Sequence, residues 1–175
     1  MNIVERIDGM LRGDTEMKTL GLKLKEEYNI SLKLNINTAK DLQKEHKEFI
    51  IGGSLALFLH GIRLKRWKYS NSDLDIISPY FILPTKGYVV CRKTQGSSDF
   101  DYVINLPGVN MDLKIDPKAS YEWIEYQGDK FKVSSLLTIW EAKTRYAMQG
   151  YTKHENDLLE LCGKELKEEA RVWGS

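Results

Sequence analysis

The segment Phe49-Ile50-Ile51-Gly52-Gly53-Ser54-Leu55-Ala56-Leu57-Phe58-Leu59 constrains this chain more than any other. Phe49-Ile50-Ile51 is a short apolar run with charge on one side and glycine on the other, the pattern of a buried strand. Gly52 and Gly53 let the backbone turn sharply and approach a neighbour closely. Ser54 then serves as N-cap or first-turn residue of a helix over Leu55 to Leu59, and Gly61 is a suitable C-terminal stop. A strand, a glycine turn and a helix start aim backbone N–H groups and a positive dipole end at an anion. Short glycine motifs also arise by chance. Standing alone, this one is explained about equally well by a capped helix with no ligand.

The next segment changes that balance. In Asp73-Leu74-Asp75-Ile76-Ile77 the carboxylates alternate with apolar residues, the period of a half-buried strand. Residues i and i+2 of a strand point the same way, roughly 6.5–7 Å apart at their Cα atoms. Two carboxylates on one face repel unless a cation lies between them. Mg²⁺ favours oxygen ligands and keeps waters or substrate phosphates around it. A solvated acidic strand edge is the plainer explanation, but aspartate is disfavoured in strands and two share this short one. Val109 to Asp116 alternates as well: Val109, Met111, Leu113 and Ile115 belong to the core, while Asn110, Asp112, Lys114 and Asp116 share the other face. If this strand pairs beside Leu74–Ile77, Asp112 supplies the third carboxylate that a two-metal site requires. Asp116 precedes Pro117 and falls at the strand's end, so Asp112 is preferred.

Gly53-Ser54, Asp73-Leu74-Asp75 and Met111-Asp112-Leu113, in that order, resemble the signature of the DNA polymerase β-like nucleotidyltransferase superfamily. The chain is most similar in type to small bacterial and phage nucleotidyltransferases, including those of toxin–antitoxin and abortive-infection systems. Val133-Ser134-Ser135-Leu136-Leu137, Ala142-Lys143 and Lys153-His154-Glu155-Asn156-Asp157-Leu158 resemble the C-terminal segment of that group, and the likeness spans about residues 45 to 162. The resemblance implies a Mg²⁺-dependent nucleotidyltransferase with two metal ions, or Mn²⁺ in their place. Such an enzyme moves a nucleoside monophosphate from a triphosphate such as ATP to a hydroxyl of RNA, protein or a small molecule. It implies that Gly52, Gly53 and Ser54 hold phosphates, that Asp73, Asp75 and Asp112 are the catalytic metal ligands, and that Lys143 or Lys153 pairs with the triphosphate. The alternative is a nucleotidyltransferase fold without activity, kept as a binding or regulatory module.

Composition sets the frame. A chain of 175 residues with 42% apolar content buries a core as one domain, and a net charge of +1 gives no reason to expect broad nucleic-acid binding. Arg63, Lys65, Arg66 and Lys68, interleaved with Trp67 and Tyr69, suit a nucleic-acid acceptor or the nucleotide, or else a solvated loop anchored by Trp67. Cys91 and Cys162 read as reduced thiols of a cytoplasmic protein, one in a strand and one in a helix. No apolar run approaches the roughly 20 residues that span a bilayer, and no signal peptide is visible, so no membrane partner is expected.

The expected fold class is α/β (α+β), a mixed twisted sheet flanked by helices with a C-terminal helical pair. Residues 1–37 read as an N-terminal helical extension and strand, residues 38–133 as the catalytic core, and residues 134–173 as helices packed on it, all within one domain. The strand in the first part rests on the alternation of Ile30, Leu32, Leu34 and Ile36, after which Thr38 caps a helix through Lys47. Tyr88–Cys91 and Asp101–Ile104 read as strands joined through an exposed loop, and Tyr121–Glu125 with Lys130–Val133 as a hairpin. Ser134 or Ser135 caps a helix through Met148, Gly150 ends it, and Thr152 caps a last helix to about Val172. Lys143 lies at the margin of an apolar face formed by Leu136, Ile139, Trp140 and Ala147, where it either reaches a phosphate or extends to water. The sequence leaves the oligomeric state open.

Overall fold

The computed structural model of this chain describes residues 30–62, 73–92 and 100–173, with side chains described as far as residue 163. Residues 30–45 form helix α1. After it come strand β1 (Ile50–Ile51), helix α2 (Gly53–Leu59), and strands β2 (Leu74–Ser78), β3 (Tyr88–Arg92), β4 (Tyr102–Leu106) and β5 (Val109–Ile115). A hairpin of β6 (Tyr121–Tyr126) and β7 (Asp129–Ser134) leads into helices α3 (Leu136–Met148) and α4 (Thr152–Trp173). The described residues therefore make a mixed α+β fold. Its seven strands lie in one sheet, in the order β3-β4-β5-β2-β1-β7-β6. Two pairings at the centre are parallel, β2 with β5 and β1 with β7, and the others are antiparallel.

One face of the sheet is core. Leu74 and Ile76 of β2, Met111 and Leu113 of β5, Ile51 of β1 and Val133 of β7 are fully buried, and the five apolar residues Leu55 to Leu59 of α2 join the same cluster. Period-two alternation leaves Asp75, Asp112, Lys114, Lys132 and Ser134 on the opposite face. Local chemistry explains the element ends. Gly61 has φ +81°, and it donates to the Phe58 carbonyl while Ile62 donates to the Leu57 carbonyl, each at 2.9 Å, which closes α2 with paired carbonyls. Gln127 and Gly128 both have positive φ, 48° and 82°, the turn that suits the twist of a two-residue hairpin. Ser135 is the N-cap of α3, its hydroxyl accepting from the Thr138 amide at 3.3 Å.

One element differs from expectation. Residues 30–36 are helical, not a strand, and the helix that Thr38 was expected to cap is already running when it reaches that residue. Leu32, Asn35, Ile36, Ala39 and Leu42 turn inward at helical spacing, whereas Ile30 and Leu34 are 61% and 40% exposed. The alternating apolar residues contain a helical subset, and packing selects it. The helix also carries out strand-like work: the Gln43 side-chain amide donates to the Lys132 carbonyl at 2.8 Å and accepts from its amide at 3.1 Å. The remaining expected strands, the β6–β7 hairpin, and the two C-terminal helices are present. Cys91 lies in β3 and Cys162 in α4, both as free thiols. Residues 1–29 of the expected N-terminal part, the basic-aromatic run Arg63–Tyr69 and most of the loop before Phe100 lie outside the described residues. Among the described residues no helix is long and apolar enough to cross a membrane.

Candidate active site

The site begins with a backbone constraint. Gly53, the first residue of α2, has φ +57°, and a Cβ built there would lie 1.8 Å from Asp75 Oδ2 and 2.7 Å from its carboxyl carbon. Only glycine fits between the helix start and that carboxylate. The Gly52 amide donates to the Asp75 carbonyl at 2.9 Å, so the glycine turn is tied to β2 by backbone as well. Ser54 sits inside the first turn, and Gly52 rather than Ser54 is the N-cap.

The second constraint is register. β2 and β5 run parallel with Asp75 directly beside Asp112. Neighbouring strands lie about 4.8 Å apart, which brings the two carboxylates together on one face. Asp73 stands two residues before Asp75, just ahead of β2, and is exposed at the mouth of the same cleft. Asp116 follows the end of β5, where its carboxylate accepts from the Lys118 amide at 2.9 Å, so Asp112 is the residue in register.

A cleft of about 420 Å³ joins these parts. The glycine turn, Ser54 and the three aspartates line one side, and α3 with the start of α4 lines the other through Lys143, Tyr146, Lys153 and His154. Comparison with protein-family models, with curated proteins and with solved structures finds no match.

Lys143 does not extend to water. It is 7% exposed, and its Nζ donates to Asp157 Oδ2 of α4 at 2.7 Å, with the Asp157 side chain 2% exposed. Two opposite charges taken out of water are costly unless closely paired, and this pair clasps α3 to α4 at the cleft wall. Lys153 and Arg145 are exposed cations on the cleft's far side. His154 is buried beside Tyr146, ring centroids 4.9 Å apart, which stiffens the α3–α4 junction.

A hard cation fits the Asp75–Asp112 pair by charge and by donor type. Among the described residues, no three carboxylate, imidazole or thiol groups converge as a ready-made cage. Mg²⁺ is commonly held by one or two carboxylates completed by waters and substrate phosphates. Sequence reasoning did not single out Ser134, Thr138, Arg145 or Tyr146 as site residues, although all four line the cleft. The alternation of β7 would have put Ser134 opposite Val133. Its neighbourhood, however, depends on the parallel pairing of β7 with β1, which no local pattern reveals.

Proposed function

We propose that this protein is a metal-dependent nucleotidyltransferase that moves a nucleoside monophosphate from a triphosphate to a hydroxyl acceptor. The observation that carries this reading is the parallel register of Asp75 with Asp112, in a cleft where Gly53 is pressed against the Asp75 carboxylate. The resemblance of these motifs to polymerase β-like nucleotidyltransferases supports the same reading, as does the mixed sheet that presents them.

In this reading the Gly52–Ser54 turn receives the β- and γ-phosphates, and Lys153 adds charge from the opposite lip. Asp73, Asp75 and Asp112 would hold two Mg²⁺ ions, which when bound supply Lewis-acid polarisation and neutralise developing charge. The acceptor oxygen bonds to the α-phosphorus as the bond to the α–β bridging oxygen breaks. Pyrophosphate leaves with that electron pair, and the acceptor's proton passes to the Asp112 carboxylate. The protein's part is mostly positioning and electrostatics.

A second reading is a nucleotide-holding module of the same fold without transfer. The two separate when the protein is incubated with each α-labelled NTP, Mg²⁺, and either RNA or protein acceptors. Transfer of label with pyrophosphate release, lost in Asp75→Asn, supports the enzyme. Mg²⁺-dependent binding without transfer to any acceptor supports the module.

A further inference from the structure

Ser134 is the last residue of β7. Phe131 and Val133 of that strand are buried in the core, so alternation places Ser134 on the face that carries Asp75 and Asp112. The parallel pairing of Ile51 with Val133 sets Ser134 beside Gly52, and it lines the cleft with Gly53 and Ser54. The residue is 1% exposed, and its hydroxyl has no hydrogen-bond partner among the described residues.

Its neighbours are otherwise engaged. The Ser134 carbonyl bonds the His60 ring at 2.8 Å. The hydroxyls of Ser120, Ser135 and Thr138 bond one another in a closed ring, at 2.7, 2.7 and 2.9 Å. A buried hydroxyl without a partner is destabilising and calls for an explanation, and a ligand that completes it is one.

We infer that the Ser134 hydroxyl donates to the terminal phosphate of a bound nucleoside triphosphate, which makes the end of β7 a subsite that separates triphosphates from shorter nucleotides. The inference rests on the reading of the cleft as a triphosphate site. Strand order assigns the phosphate. The carboxylates stand on β5 and β2, the glycine turn follows β1, and Ser134 ends β7, one strand further on. At about 4.8 Å between neighbours, β7 lies about 10 Å from β2. The α-phosphate belongs at the carboxylates, where its bonds are exchanged, so a chain of phosphates running past Gly53 brings its far end to Ser134. A hydroxyl there is a suitable donor to an oxyanion.

The test is calorimetric binding of a non-transferable NTP analogue (α,β-methylene), the matching NDP and the NMP, each with Mg²⁺, to the full chain and to Ser134→Ala, with thermal melting of both without nucleotide. The expected result is a Ser134→Ala variant that melts no lower than the parent and binds the triphosphate about tenfold more weakly, with NDP and NMP affinities unchanged. Ser134→Cys, nearly the same size but a weak donor, falls between the two. Equal weakening for all three ligands would move the hydroxyl to the nucleoside end and overturn the assignment. Unchanged triphosphate affinity, or a lower melting temperature in Ser134→Ala, overturns it too. A parent protein that binds no triphosphate overturns the reading of the cleft itself, a failure seen in the parent before any variant is compared.

Discussion

Gly53 is the residue at which fold and site are hardest to separate. Its φ of +57° costs a residue with a side chain about 1–2 kcal/mol, and its Cα faces the Asp75 carboxylate directly. Gly53→Ala is therefore expected to lower stability by at least that amount and to displace Asp75, with nucleotide transfer abolished. Gly61 provides the control: its φ is +81°, but a Cβ there meets nothing within 4 Å. Gly61→Ala should lose a similar 1–2 kcal/mol while keeping its activity, and denaturation curves read beside turnover of the two variants check the contrast. At this scale the residues that line the candidate cleft are partly legible in the sequence. Asp75 and Asp112 stand out because each alternates with apolar residues along a strand, and Gly53 because a glycine pair lets the backbone turn sharply and approach a neighbour. Ser134 belongs to the resembling segment Val133–Leu137 and reads there as a helix cap, so nothing in the sequence marks its hydroxyl as part of the site.

Between elements, the contacts that matter are few and specific. The buried Lys143–Asp157 pair joins α3 to α4. Removing one member leaves an uncompensated buried charge, so Lys143→Met is expected to cost about 3–5 kcal/mol in chemical denaturation. The double variant Lys143→Met/Asp157→Leu should recover much of that loss, and a denaturation cycle over the four proteins measures the coupling. Glu45 of α1 accepts from both the hydroxyl and the amide of Thr85. The Thr85 hydroxyl foremost, then the Thr85 amide, holds the Glu45 carboxyl below the ordinary value of 4.5. A carboxyl lowered by folding adds stability that is complete above its unfolded pKa and is lost as pH falls through the folded one. Glu45→Gln should accordingly be less stable than the parent at neutral pH, with the difference shrinking below about pH 4.5, as melting temperatures across that range will show. Element type was legible wherever alternation and turn residues agreed, as in β5 and in the β6–β7 hairpin. It failed for residues 30–36, where Ile30, Leu32, Leu34 and Ile36 satisfy both a strand and part of a helix, and only the burial of Ala39 and Leu42 beyond them decides.

For the whole molecule, the site exists because of pairings between distant segments. β2 finds β5 in parallel, β1 finds β7 in parallel, and α3 with α4 closes the cleft opposite the carboxylates. Sequence patterns describe each strand's faces but not its neighbours, so the carboxylate pair was conditional on a register that the fold supplies. In the proposed function Asp75 and Asp112, with Asp73, belong to a metal site completed by a triphosphate. Electron paramagnetic resonance of Mn²⁺, titrated into the protein with and without a non-transferable NTP, tests it most directly. The prediction is weak Mn²⁺ uptake by the protein alone, strong uptake when the triphosphate is present, and loss of that enhancement in Asp75→Asn and Asp112→Asn. Enhancement that survives both substitutions, or none in the parent protein, would contradict it.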